Sequence, residues 1–265
     1  MIKALIRKTL GHAGFAIINI RRHYDEDGLF TIHSDHFRRD PWFRAAYERG
    51  LKASNGVDPH FEWRLHVALW VASNALAAPG NFVECGVNTG FISSAIMEAL
   101  DWENIARRFF LIDTFAGPVI SQFSAAEIQR GRLKVAEDHI AAGAYETDVT
   151  RVRANFSEWP NAVVVQGRVP DILSSIDITT IAFLHLDMNC AYPDRAALEY
   201  FWDRLSPGAF VLLDDYAYHG YESQREAIDE VARSLGFHVL SLPTGQGLIV
   251  KPKGSSERPG PRAYP

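Results

Sequence analysis

Residues 81–100 read NFVECGVNTGFISSAIMEAL, and the rest of the chain is organised around them. Residues 81–87 have the makeup of a buried strand that brings an acid, Glu84, and a glycine, Gly86, to its carboxyl end. Residues 92–100 then read as helix. Asn88, Thr89 and Gly90 lie between the two. A glycine-punctuated turn from strand to helix leaves backbone N–H groups free at a helix start, with few side chains to keep a ligand away. It is the seat expected for a cofactor.

Downstream, strands alternate with helices, the sign of a mostly parallel sheet. Strands are expected at 81–87, 109–115, 162–167, 181–188, 209–216, 236–242 and 248–251, with helices at 92–100, 194–205 and 222–235. Only Pro243, Thr244, Gly245, Gln246 and Gly247 join the last two strands. A parallel crossover needs a dozen or more residues, so that pair must be an antiparallel hairpin. The expected fold is therefore α/β: a seven-stranded, mostly parallel sheet with an antiparallel final hairpin and helices on both faces.

Upstream, HFRRDPWFRAAYERGLKA, from His36, has Asp40 as an N-cap and Pro41 at the first helical position, which predicts a helix over 41–53. A second helix is expected over 59–77, because Trp63, Val67, Trp70, Val71 and Asn74 recur three and four apart. His66, on that helix among apolar neighbours, reads as a packing residue. Residues 1–58 are expected to be a helical N-terminal extension that serves as a lid or in oligomerisation, 59–252 the main domain, and 253–265 a disordered tail.

The composition sets limits on function. With 265 residues, 47% hydrophobic and 22% charged, the chain can build one sizeable core of enzyme size. A net charge of −5 offers no general attraction to nucleic acid. Cys85 and Cys190 are too few for a disulfide framework and fall at strand ends, where Cys packs as a small apolar residue; a reducing cytoplasm fits. The first 25 residues are locally basic, but their apolar run 15–18 is far below the roughly 20 residues a spanning helix needs. They read as a helix docked on the protein's own body or on a second subunit of a homodimer, in preference to a membrane contact.

Two strands end in acids after apolar runs: Asp187 follows IAFLHL, and Asp214 with Asp215 follows AFVLL. Three carboxylates at adjacent strand ends in a partly desolvated cleft repel one another unless a cation sits among them. Oxygen ligands of this kind suit magnesium. Histidine and cysteine at zinc spacing are not present.

The series VECGVNTG, FFLIDTFAG, VVVQG, FLHLDMN, LSPGAFVLLDDY and GQGLIVK resembles the macrocin O-methyltransferase family over residues 63–251. The resemblance implies a Rossmann-like methyltransferase fold and a magnesium-dependent O-methyltransferase that uses S-adenosylmethionine. The acceptor would be a small-molecule hydroxyl, on a sugar or a glycosylated natural product. The residues agree with it. Gly86 and Gly90 make a GxxxG spacing, not the GxGxxG of dinucleotide sites, and Glu84 would repel a pyrophosphate but attract the ammonium of a methionine moiety. Asp113, 23 residues after Gly90, stands where such sheets place an acid on ribose hydroxyls. Gln166 is a candidate contact for the adenine. Asp187, Asp214 and Asp215 are the candidate magnesium ligands, and Asp187 is the first candidate to accept the acceptor's proton, followed by His219, His139 and Tyr218. Met188, Asn189 and Cys190 after Asp187 leave no lysine base of the catechol type, which favours a non-catechol alcohol. An NAD-dependent sugar-modifying enzyme and a non-catalytic scaffold are the competing readings.

The connection over 116–160 carries Phe123, Arg130, Arg132, His139, Tyr145 and Trp159. Its length marks a lid or binding segment, helical over 125–142, that covers the acceptor with help from the aromatic residues before Pro59. Phe156 and Trp159 are expected to pack beneath it.

Overall fold

In a computed structural model, Leu10 and residues 24–253 are described. Nearly all of the expected docking helix of the first 25 residues and of the expected tail lies outside them. Strands β1 (Tyr24–Glu26) and β2 (Leu29–Thr31) pair antiparallel. Helices α1 (Pro41–Ala53) and α2 (Glu62–Ala75) follow, and then β3 (Asn81–Cys85), α3 (Phe91–Ala99) and β4 (Phe109–Asp113). The long connection carries α4 (Ala125–Gln129), α5 (Arg132–Ala141) and α6 (Val149–Asn155) before β5 (Ala162–Gln166). The chain continues through β6 (Ile181–Leu186), α7 (Ala191–Phe201), β7 (Leu205–Leu213), α8 (Glu222–Leu235), β8 (Leu240–Ser241) and β9 (Gly247–Val250).

The large sheet has the order β5-β4-β3-β6-β7-β9-β8. Its β5 to β7 neighbours are parallel, whereas β9 runs antiparallel to both β7 and β8. The seven strands and the antiparallel end are as expected. Several strands stop earlier than their apolar runs because the chain leaves the ladder at the cleft: β3 ends at Cys85, where Gly86 turns to a φ of 92°. Strand order reverses between β3 and β6, and ligands bind at such a switch point, outside the carboxyl ends of the strands.

Alternation by two divides the core. Phe82, Phe109, Leu111, Phe183 and Leu212 face α1, α2 and α3, while Val83, Cys85, Phe110, Ile112, Leu184 and Leu213 face α7 and α8. Phe183 is fully buried against Phe82, ring centres 5.1 Å apart. Truncating such a ring to alanine costs about 3–5 kcal/mol. Cys85 and Cys190 are buried free thiols used for packing.

The extension before residue 58 is not wholly helical. Asp27 and Gly28, both at positive φ, form the two-residue turn of the β1–β2 hairpin, a local Asp-Gly signal. Helix α1 starts as expected: the Asp40 carboxylate accepts a 2.9 Å hydrogen bond from the Trp42 N–H, with Pro41 at the first position. Its Phe43, Ala46 and Tyr47 join the same core as α2 and α3, so this core runs across residue 58.

Helix α2 buries a stripe that, of the expected residues, includes only Val71 in full. Leu65, Ala68, Leu69, Ala72 and Ala75 are inaccessible, while Trp70 is 52% exposed. The alanines let α2 approach the sheet and α3 closely, and the tryptophans are left at the border. His66 is a packing residue, stacked 4.0 Å from the Phe37 ring, and burial lowers its pKa.

Candidate active site

The turn after β3 is built by backbone and carboxylate together. An alanine Cβ at Gly86 would stand 1.8 Å from the Asp187 carbonyl oxygen, and φ there is 92°, so glycine alone brings β3 and β6 this close at the switch point. The N–H groups of Val87 and Asn88 donate to Asp113 Oδ2 at 2.7 and 2.8 Å, and the Phe115 N–H donates to Oδ1 at 2.7 Å. The Thr114 hydroxyl lies closer to the Gly117 carbonyl (2.9 Å) than to Asp113 Oδ1 (3.3 Å), so Oδ1 keeps a lone pair for a ligand hydroxyl. Gly90 begins α3, and its missing side chain admits the Phe156 ring, whose atoms come within 2.5 Å of where a Cβ would be. Gly90 is thus a packing glycine away from the cleft wall.

A cleft opens here, with a volume of about 660 Å³ that includes open solvent at its mouth. Gly86, Asn88, Asp113 and Thr114 form one wall, Gly167 lies beside them, and Asp187, Met188 and Asn189 close one end. Tyr145 and Glu146 come from the long connection. They are tied to the turn by Asn88, whose Oδ1 accepts from the Glu146 N–H (2.7 Å) and whose Nδ2 donates to the Ala144 carbonyl (3.2 Å). The connection thus lines this cleft. Phe156 and Trp159 are buried beneath it, and its helical stretch is two helices broken at Gly131.

Five further expected cofactor or catalytic contacts are not on the cleft wall. Gln166 is exposed, with its amide 3.4 Å from the Thr114 carbonyl, and it is the next residue, Gly167, that lines the cleft. His219 is exposed on the loop after β7, and neither His139 nor Tyr218 reaches the cleft. Glu84 is 2% exposed and faces His185 on the neighbouring strand, with Oε1 2.8 Å from Nδ1. The β3–β6 register sets these two side by side, so Glu84 serves an internal ion pair in place of the ligand ammonium.

That pair is one end of a buried chain of charge. His185 Nε2 is 3.6 Å from Asp214 Oδ1, an ion pair too long for a hydrogen bond. Asp214 Oδ1 accepts from Gln246 at 3.0 Å, and its Oδ2 accepts from Arg64 Nη1 at 2.6 Å. The rest of the Arg64 fork holds both oxygens of Asp27, at 3.0 and 2.5 Å, in the hairpin turn. Burial disfavours charge on His185, but Asp214 and Glu84 outweigh it and push the imidazole pKa up to about 10. Burial likewise acts against the Asp214 anion, and Arg64 and His185 overcome it, holding this carboxyl well below its ordinary range.

Asp187 and Asp215 differ from Asp214. Burial, with Asp214 and Asp215 nearby, raises the Asp187 pKa well above its ordinary value; burial and then Asp214 push Asp215 up to about 7. Asp215 Oδ2 is buried and has no hydrogen-bond partner. Two strained carboxylates, one with an orphaned oxygen, fit a divalent cation. The expected trio does not converge, however: Asp214 is committed to Arg64, Gln246 and His185. Among the described residues no group of three or more histidines, cysteines or acids is placed to hold a metal ion.

Arg64, His185 and Gln246 were not picked out from the sequence as site residues. A histidine inside the apolar run IAFLHL, two residues before Asp187, was the available signal. Arg64 and Gln246 had no local sign.

The described residues include no helix long and apolar enough to cross a membrane. Among solved structures, the chain is similar in fold to the O-methyltransferase NovP, with a TM-score of 0.65 and 18% identity over 83% of this chain and all of that one. It is also similar to CalS11, described as a calicheamicin methyltransferase, with a TM-score of 0.56 and 17% identity over 85% of this chain and 96% of that one. A Streptomyces olivaceus protein, 8-demethyl-8-(2,3-dimethoxy-alpha-L-rhamnosyl)-tetracenomycin-C 4'-O-methyltransferase, is 30% identical over 188 residues, covering 68% of this chain and 69% of that protein. Residues 66–237 match the macrocin-O-methyltransferase (TylF) family model. The chain is an S-adenosylmethionine-dependent O-methyltransferase and belongs to the macrocin-O-methyltransferase family.

Proposed function

We propose that this O-methyltransferase acts on a hydroxyl of a sugar or glycosylated natural product, and that the cleft seats S-adenosylmethionine with its methyl group toward Asp187. The observation that carries this reading is the single cleft with the Gly86–Asp113 turn at one side and Asp187 at its end. In it, Asp113 Oδ1 receives a ribose hydroxyl, and the glycine turn admits the rest of the cofactor without a side chain in the way. The rhamnosyl substrate named for the 30% identical relative supports a deoxysugar acceptor. Family membership sets aside the nicotinamide and scaffold alternatives.

The reaction is an in-line displacement. When bound, S-adenosylmethionine would supply an activated methyl group: the acceptor oxygen would take the methyl carbon as the carbon–sulfur bond breaks with its electron pair going to sulfur, and Asp187 would accept the hydroxyl proton. The cofactor is already activated, so the residues orient the hydroxyl and take its proton. Asp187 and Asp215 are the residues that would hold Mg²⁺, which when bound lowers the pKa of an acceptor hydroxyl and relieves the repulsion between the two carboxylates. Tyr145 and Glu146 line the same cleft.

The test is calorimetry with S-adenosylhomocysteine, followed by a methyl-transfer assay with an L-rhamnoside panel and mass-spectrometric detection. Asp187→Ala should keep S-adenosylhomocysteine affinity within a few-fold and lower turnover by about 10²–10⁴, the usual worth of a positioned proton acceptor. Turnover by Asp187→Ala equal to the wild type would remove Asp187 from the mechanism.

A further inference from the structure

The loop that follows Asp187 is held by a bond within it and by contacts from other elements. Asn189, held at a φ of 58°, donates from Nδ2 to Asp187 Oδ1 at 3.1 Å. Its Oδ1 accepts from the Tyr221 hydroxyl at 2.9 Å. Tyr221 stands at the start of α8, and the Arg132 guanidinium of α5 lies 3.6 Å over its ring. From α4, Glu127 Oε1 accepts the Ala191 N–H at 2.9 Å, while its other oxygen closes the Ser124 capping box.

The chemistry fixes the direction of the Tyr221–Asn189–Asp187 chain. An ionised carboxylate can only accept, so the Asn189 amide must present its NH₂ to Asp187. Its carbonyl is left to face Tyr221, which has one proton to give. Reversing the amide would set oxygen against oxygen at one end and leave the phenol without an acceptor at the other. The chain therefore engages Oδ1 of Asp187, a residue that lines the cleft.

We infer that Tyr221 is a positioning residue that acts through Asn189 to orient Asp187 for its cation, and that Arg132 links this orientation to the long connection. The inference rests on the proposed cation site at Asp187 and Asp215. Tyr221→Phe removes one hydroxyl and keeps the ring under Arg132, so the fold has no reason to change. Without the hydroxyl, Asn189 is no longer held and the Asp187 carboxylate turns more freely. Partners of this kind are worth about 10- to 100-fold in metal affinity.

The experiment is Mn²⁺ binding to the full chain saturated with S-adenosylhomocysteine, followed by electron paramagnetic resonance, with thermal melting alongside. Tyr221→Phe and Asn189→Ala are each expected to weaken Mn²⁺ by about 10-fold or more. In Tyr221→Phe, S-adenosylhomocysteine affinity and Tm should stay as in the wild type. The double variant should lose no more than the worse single, because both residues act through one chain. Wild-type affinity in Tyr221→Phe, or losses in the double variant that multiply, would overturn the inference and leave the cation site standing. Joint loss of Mn²⁺ binding, S-adenosylhomocysteine binding and Tm would assign the hydroxyl to the fold and overturn it as well. A wild type that takes up no Mn²⁺ would sink the cation site and this inference with it.

Discussion

The two halves of the cleft edge are built by opposite means. At the β3–β4 side the work is done by backbone: a glycine where a Cβ has no room, and three N–H groups gathered on Asp113. At the β6–β7 side it is done by buried side-chain charge, with Asp187, Asp214 and Asp215 set against His185 and Arg64. The first half needs only local geometry. The second is stable only while each charge keeps its partner, because an unpaired buried ion costs several kcal/mol.

Arg64→Met probes this difference most severely. It strands both Asp27 and Asp214, and breaking a buried pair in this way costs about 3–5 kcal/mol, to be read from denaturant unfolding. A loss below about 1 kcal/mol, the range of surface ion pairs, would mean that solvent screens the chain of charge. Gly86→Ala tests the other half. Strained φ and the clash with the Asp187 carbonyl should cost about 2–3 kcal/mol and weaken S-adenosylhomocysteine at least tenfold by calorimetry. If affinity is unchanged, the close approach of β3 and β6 does not shape the cofactor seat.

The third test is pH, which probes the charged half without a substitution. His185 has a folded pKa of about 10, above its ordinary 6.5, so the stability it adds is complete below pH 6.5 and lost as pH rises through 10. Asp215, raised from 3.8 to about 7, acts in the same direction over a lower window, its contribution lost between about pH 4 and 7. Asp214 is depressed and works the other way, its contribution lost only in acid as pH falls below 3.8. Without added metal, Tm should fall steadily from pH 6 to pH 10, and Gly86→Ala should leave the slope unaltered. A flat profile would show that His185 is not held as a cation.

The legibility of the chain follows the same division. Asp40 and Pro41 announce α1 because a cap acts within one turn, and the short 243–247 connection dictates an antiparallel pair by length alone. The helix stripe of α2 was largely misread because the large residues look like a core, whereas close packing there needed the alanines. Glu84 was assigned to the cofactor because nothing near it in sequence shows that His185 lies alongside. The Asp-Gly turn of the hairpin was local and could have been read. Gln166 was placed one residue from the position, Gly167, that meets the cleft, since a strand turns successive residues to opposite faces.

The amino-acid sequence by itself determined the strand–turn–helix at residues 81–100, the order of strands and helices, the antiparallel end, and the acids carried to the strand tips. Each follows from periodicity, turn chemistry or connection length, and these act over a few residues. Only the tertiary structure decided what each acid does. Glu84 and His185 are 101 residues apart, Arg64 and Asp214 150 apart, and Tyr221 reaches Asn189 across 32. A carboxylate's role is set by what stands within a few ångströms of it, and those neighbours are chosen by sheet register and helix packing.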